Sequence, residues 1–408
     1  MLNKPEVLFL ILGVIFGLAF MIISPPLTVA DGSGHLKRAI EVSNGILYNK
    51  TPAKFTKTDV LFLHNEKFSK YAINDKHFHH MSGYSPINYL ASAMGIKIGY
   101  LFKNVILMFY LARLFNLFVW LALIYFAIRI TPVFKWHFSI FALLPMNVYE
   151  GMSLAADSFV NSFSFLFFAY MFKLIFEKKE KLSNLEISGY AIFTFISAFL
   201  KGCLIYPAFL MFFVKDRRKI IISVLVITLC GLLGSIWIFN NHIAAPFANQ
   251  EYNRYILLTK PYYVIYIVFK TMLLHYPYYI QGIIARPGQI MAKMPICVYI
   301  CTVIIYMLNF KFVPCEQRID KRYRIFAAGL ILLFCIIMLC QLFFTWTPVG
   351  SFKVGGFQGR YLIFLLPLYF LIFSENPDCK TYDKFKIFTA FYVICLLTYF
   401  CCFLSCIN

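Results

Sequence analysis

Charge is scarce in this chain. Of its 408 residues only 14% are Asp, Glu, Lys or Arg, against roughly 25% in a soluble domain. Acidic residues are the scarcest, 18 against 38 Lys and Arg, for a formal net charge of +20. With 61% hydrophobic residues and a mean hydropathy of +0.73, the chain carries more apolar surface than a globular core could hide, which excludes a soluble protein of two or three domains. There is also no Walker loop, no GxGxxG, no HExxH and no GxSxG, which removes ATP-driven, dinucleotide-dependent and serine-hydrolase activities. None of the twelve cysteines forms a CxxC or a Cys/His array with zinc-like spacing. Most lie in apolar runs (Cys230, Cys335, Cys340, Cys395, Cys401, Cys402) and read as small membrane hydrophobes. No cofactor and no metal site is expected. His77, His79 and His80 lie close together but have no companion carboxylate at ligand spacing.

What remains is a polytopic, all-α membrane protein, a single integral membrane domain over 1–408. The run Val7–Ile23, stopped by Pro25-Pro26, reads as a retained first span with a cytoplasmic N-terminus, because no small-x-small cleavage site follows it. Further apolar segments fall at 105–129, 137–150, 158–175, 187–200, 203–214, 219–240, 295–310, 325–346, 360–374 and 387–405, about 11 helical segments in all. Several are shorter than the ~20 residues of a straight span. The pair 187–200 and 203–214, broken at Lys201-Gly202, reads as a hairpin that crosses only in part. Alternation from an inside start puts loops 129–137, 173–186, 215–219, 311–324 and 375–386 in the cytoplasm. They hold 18 Lys and Arg, against 3 in the short outer loops 149–157, 201–203 and 347–360, a strong orientation signal. Runs such as Lys215–Lys219 need no role beyond anchoring. The excess of basic residues therefore sets topology and calls for no nucleic-acid partner.

Two long segments fall outside, and long loops escape the rule that retains positive charge inside. The first outer loop, 25–104, carries ten Lys/Arg and five acids; the second, 241–294, carries five and one. Their surplus suits anionic lipid headgroups or a phosphate-bearing substrate. Tyr89–Phe102 and Tyr262–Ile284 are apolar and Tyr-rich, broken by Lys and His, as in helices lying along a membrane surface.

Polar groups at a membrane edge are costly, so their positions are informative. The stretch Thr28–Arg38 follows the first span, and its two glycines, Gly32 and Gly34, allow a turn that returns His35 towards Asp31. A carboxylate beside an imidazole can orient it or act as a base on a hydroxyl; the alternative for Asp31 is a helix cap. Asp157, with Ser158 and Asn161, stands where an N-cap would stand before the span at 158. Gly355-Gly356-Phe357-Gln358-Gly359-Arg360-Tyr361 puts a guanidinium behind a glycine-rich turn, suited to gripping a phosphate, with snorkelling to headgroups as the alternative. Arg113 and Asn116 lie within a span and call for structural partners.

These residues resemble, in order, the bacterial membrane proteins grouped as domain of unknown function 2142. The resemblance rests on Pro25-Pro26 before Asp31 and His35, Arg38-Ala39, Asn44-Gly45 and Tyr84-Ser85-Pro86. It continues through Ala112–Asn116, Leu144-Pro145-Met146, Ser153–Asp157 and Gln358–Tyr361. That group is similar to the type C glycosyltransferases, whose lipid-phosphate-linked sugar donors and first-loop acid the resemblance implies here, with Asp31 in the acid's place. Members commonly carry Asp-Glu where this chain has Asp31-Gly32.

The expectation is a glycosyltransferase on the outer face of a bacterial plasma membrane. It would pass a sugar from a polyprenyl-phosphate donor to an envelope glycan or glycolipid acceptor. Asp31 and His35 would be catalytic; Arg38, Asp157, Gln358, Arg360 and Tyr361 would bind substrate. The alternatives are a flippase or transporter of lipid-linked saccharide, and a non-catalytic component of a polysaccharide assembly machine.

Overall fold

The computed structural model describes residues 4–47, 57–63, 65, 81, 84–200, 204–241, 245, 247–286, 296–313, 317–374, 393, 396, 397 and 400. His77, His79 and His80, the Lys201-Gly202 break, loop 375–386 and most of the expected last segment lie outside the described residues. Within them the chain is all helical. The first long helix, α1 (Pro5–Ile23), is followed by α2 (Gly32–Ser43), α3 (Lys57–Leu63), a 3₁₀ turn at Pro86–Tyr89 and α4 (Leu90–Tyr100). Next come α5 (Val105–Ile130), α6 (Lys135–Ala142), α7 (Pro145–Met152), α8 (Ala156–Phe176), α9 (Asn184–Ala198) and a 3₁₀ segment at Tyr206–Phe213. The remainder is α10 (Lys219–Asn241), α11 (Gln250–Thr259), α12 (Pro261–Ile284), α13 (Ile296–Phe312), α14 (Lys321–Trp346), a 3₁₀ segment at Gly359–Leu365 and α15 (Leu366–Phe373).

Five of these helices, α1, α5, α8, α10 and α14, are long and apolar enough to cross a membrane. The pair α11 and α12, bent by 108°, makes a sixth if taken as one broken span. The expected eleven segments are thus redistributed. Segment 137–150 is two short helices, because Pro145 has no N–H to continue α6 and opens α7 instead. Segment 203–214 is 3₁₀, with Pro207 in its first turn, and 360–374 begins as 3₁₀ before Pro367. Segments 187–200 and 203–214, the two arms of the expected hairpin, pack on one another. Tyr190 on α9 donates its hydroxyl to the Ala208 carbonyl at 3.3 Å, folding the two pieces against one another.

Burial separates the centre from the rim. The α8 span is 78% buried and α10 only 17%, so α8 is the axis of the bundle and α10 turns its Ile and Leu side chains outward. Around α8 pack α5, α7 and the segment Gly359–Leu365, and α1 lies along α5. A smaller apolar cluster ties the segment between α1 and α5 to this bundle. Leu36, Ile40, Phe62, Tyr89 and Ala93 pack on Met108, Phe109 and Ala112 of α5. In the second outer loop α12 is likewise more than a surface helix, since it packs on Gly359–Leu365, α7 and α14.

The basic loops share one end. Leu182 N donates to Asp216 Oδ2 at 2.8 Å, Lys215 pairs with Glu180 at 2.9 Å, and Gln317 donates to the Phe176 carbonyl at 3.4 Å. Arg324 holds the carbonyls of Ile372 and Ser374, and Ser139 donates to the Pro5 carbonyl at 3.0 Å, which brings the start of α1 to the same end. The polar residues singled out after α1, before α8 and before α15 gather at the opposite end.

Candidate functional site

Three chain crossings build this opposite end. At the first, α1 stops before Pro25-Pro26 and its last carbonyls need partners. Arg113, buried on α5, supplies them: its guanidinium donates to the carbonyls of Met21 at 3.0 Å, Ser24 at 2.8 Å and Pro25 at 3.1 Å. Asn116, one turn on, donates to the Ser153 carbonyl at 2.7 Å. Both are the structural partners their place in a span called for. The chain then turns through Thr28–Gly32 and delivers Asp31 in the left-handed region, φ +57°. Asp31 occupies the N-cap position of α2, but its side chain makes no capping bond. Its carboxylate points elsewhere. Gly32 is fixed by close approach: a Cβ there would lie 2.8 Å from the Leu27 carbonyl oxygen. This turn has no room for the second carboxylate of an Asp-Glu pair.

At the second crossing α7 ends and α8 begins. Glu150, fully buried, lies two residues before the end of α7, and Ser153 Oγ donates to its Oε2 at 3.4 Å. The N-cap of α8 is Ala155, so Asp157 is not the cap its sequence position suggested; it is a buried residue of the first turn. At the third crossing two backbones touch. A Cβ on Gly359 would fall 1.9 Å from the Tyr279 carbonyl oxygen, and one on Gly282 would fall 2.9 Å from the Gly359 Cα. Only glycine lets α12 press this closely on the 3₁₀ segment, and the next residue is Arg360.

Arg360 joins the three crossings. One terminal nitrogen lies 3.1 Å from Glu150 Oε1 and 3.8 Å from Asp157 Oδ2; the other lies 3.5 Å from Asp31 Oδ2. The guanidinium is 3% exposed, and the side chains of Glu150 and Asp157 are 0% and 5% exposed, whereas that of Asp31 is 43% exposed. Arg360 is therefore pinned from inside by two buried acids and holds a third that faces outward. Its Nε is buried with no hydrogen-bond partner. The four named side chains formally carry three negative charges and one positive, and the terminal nitrogens that a phosphate would need are already engaged by carboxylates. Gln358, half-buried, and Tyr361, whose ring lies 5.5 Å from the Arg360 guanidinium carbon, border the cluster.

His35 lies one helical turn beyond Asp31, 1% exposed, with Nδ1 2.8 Å from the Tyr89 hydroxyl and its ring stacked on Tyr84. Burial raises the Tyr89 phenol well above its usual range; Tyr84, Asp157 and Asp31 add to the rise and Arg38 opposes it. A phenol kept protonated can donate to His35 Nδ1, and that pairing leaves the imidazole proton on Nε2. Arg38 departs from its expected role. It is 1% exposed, and its guanidinium donates to Glu41 at 2.9 Å and to the carbonyls of Tyr84, Ile46 and Leu47, which closes the loop after α2. A buried cation so fully engaged is a brace for the chain around α2.

Two further members of the site, Glu150 and Tyr89, carry little signal in the sequence. Glu150 had one signal, a lone acid at the end of an apolar run, where an unpaired charge is expensive. Tyr89 had none beyond following Tyr84-Ser85-Pro86. Among the described residues no three His, Cys, Asp or Glu side chains form a metal-holding group.

A family model described as a predicted membrane protein, domain of unknown function 2142, matches residues 59–369. This chain belongs to that family. Glu150, Asp157 and Arg360 fall inside the matched part, and Asp31 with the whole of α2 precedes it. A multi-pass membrane protein is what the family and the apolar helices together establish. No curated protein and no solved structure matches the chain.

Proposed function

We propose that this member of the family is a membrane glycosyltransferase. It passes a sugar from a polyprenyl-phosphate donor to an envelope glycan or glycolipid acceptor, at the end of the bundle opposite its basic loops. On this reading the basic loops and the N-terminus face the cytoplasm and Asp31 faces the outside of a bacterial plasma membrane, where no nucleotide is needed. The observation that carries the reading is the hold on Asp31. It is the one exposed carboxylate of the cluster, and a guanidinium fixed by two buried acids sets its position.

Asp31 takes the proton of an acceptor hydroxyl as that oxygen bonds to the anomeric carbon. The bond from that carbon to the donor phosphate oxygen breaks in the same step, and its electron pair leaves with the lipid phosphate. The anomeric centre inverts. Arg360 is a positioning residue here, since its terminal nitrogens face carboxylates. Glu150 and Asp157 hold Arg360. His35, paired with Tyr89, fixes the first turn of α2 and thereby the orientation of Asp31. Gln358 and Tyr361 remain on the substrate side. Alignment of acceptor and donor, more than a strong base, supplies the larger part of the acceleration.

The test is a proteoliposome assay with a radiolabelled polyprenyl-phosphate hexose and a panel of glycolipid acceptors. A new glycosidic bond of inverted configuration is the expected product. Movement of the labelled lipid between leaflets with no bond formed would overturn the reading in favour of a flippase.

A further inference from the structure

A second concavity lies at the other end of α2. A cavity of about 300 Å³ opens between the end of α2, the start of α3 and the end of α4. Ser43 and Asn44, Lys57 and Thr58, and Lys97 and Tyr100 give it a polar lining. The twelve residues of α2 separate it from Asp31 by roughly 18 Å at ~1.5 Å per residue. It is not part of the Arg360 cluster.

The charge of its described lining is positive. Among the described residues neither Lys57 nor Lys97 is paired with a carboxylate. The C-terminal ends of α2 and α4 oppose the two ammonium groups with about half a charge each, so the balance stays positive. Ser43 and Asn44 lessen the opposition further, because both donate to the Ile40 carbonyl, at 2.7 and 2.8 Å.

An apolar strip runs beside the cavity. Leu90, Met94, Ile98 and Leu101 recur at helical spacing on α4 and are 51%, 57%, 39% and 78% exposed. Lys97 follows Met94 by three residues and precedes Leu101 by four, so it stands on the same face. A soluble anion would use the lysines and leave this strip uncovered; a lipid uses both.

We infer that the cavity binds the phosphate of an anionic membrane lipid, with the acyl chains lying along the Leu90–Leu101 face of α4. The volume is at the lower bound for a small-molecule site and suits a glycerophosphate-sized headgroup. Such a lipid ties α4 and the end of α2 to the membrane, and so sets the height of Asp31 above it. The site stands independently of the glycosyltransferase reading.

Native mass spectrometry of the full chain released from detergent, titrated with phosphatidylglycerol and with phosphatidylcholine, tests this directly. The wild-type protein should retain the anionic lipid preferentially. Lys57→Ala with Lys97→Ala should weaken that retention roughly thirtyfold, given the surface attraction of two lysines. Lys103→Ala, which removes an exposed lysine of the same loop outside the cavity, should not. The charge-keeping pair Lys57→Arg with Lys97→Arg should retain binding, which keeps the test open if the alanine pair folds poorly. Equal retention of both lipids, an equal loss in Lys103→Ala, or no loss in the double alanine variant would overturn the proposal. So would soluble glycerol phosphate competing as well as the lipid, which would identify a free phosphate as the ligand.

Discussion

Replacing Arg360 by methionine removes the charge at the centre of the cluster while keeping an unbranched side chain. At an effective dielectric constant of about 20, the 3.1 Å contact with Glu150 is worth roughly 5 kcal/mol and the 3.8 Å contact with Asp157 roughly 4 kcal/mol before desolvation. Asp31 adds less, because its side chain is 43% exposed and water screens it. Desolvation of the buried groups and repulsion among the carboxylates offset much of this gain. What the substitution exposes is the cost of two buried acids without their partner, about 3–5 kcal/mol for a broken buried pair. Against a total stability of ~5–15 kcal/mol that is a large loss. Equilibrium unfolding in mixed micelles, followed by tryptophan fluorescence, measures it. Neutralising the stranded acids separates charge from packing: adding Glu150→Gln and Asp157→Asn to Arg360→Met should recover at least about half of the loss. An Arg360→Met protein within about 1 kcal/mol of wild type, or no recovery in the triple variant, would refute the anchoring argument.

Two further perturbations probe the supports of the site. Gly359→Ala puts a methyl group 1.9 Å from the Tyr279 carbonyl and should push α12 away from Arg360, lowering the unfolding midpoint and any transfer activity together; Gly329→Ala, with nothing within 4 Å of the new Cβ, should leave both intact. At the basic end, the Arg218 side chain together with the backbone N–H groups of Leu182 and Arg218 holds the Asp216 carboxyl well below the usual carboxylate range. A depressed folded-state pKa means the stabilisation is complete above the unfolded value near 4 and is lost as pH falls through the folded one. The stability gap between wild type and Asp216→Asn should therefore be constant near neutrality and shrink below about pH 4.

The long helices were legible because their apolar runs exceed what a short core helix needs: 105–129, 158–175, 219–240 and 325–346 each return as a single helix of similar extent. The broken elements were not, since an apolar run interrupted at Pro145, Pro207 or Pro367 has the composition of a span without its length. Asp157 shows the same limit at the level of one residue. Its position before an apolar run fits a cap, and only the turn through Leu154 and Ala155 places it inside α8, facing Arg360. Arg38 and Arg360 could not be told apart as cations beside polar turns. Their partners distinguish them: one braces backbone carbonyls around α2, and the other meets three carboxylates from two distant parts of the chain. Glu150 escaped notice because its nearby Ser153 hydroxyl is ordinary for a helix end, and the cation it meets lies 210 residues away.

Under the proposed function Asp31, held by Arg360, is the acceptor's base. Single-turnover transfer from a polyprenyl-phosphate sugar by Asp31→Asn protein, with its unfolding midpoint measured alongside, tests it most directly. The rate should fall at least about a hundredfold, as for loss of a general base, with stability close to wild type because Asp31 is the exposed member of the cluster. Wild-type turnover by a folded Asp31→Asn protein would contradict it.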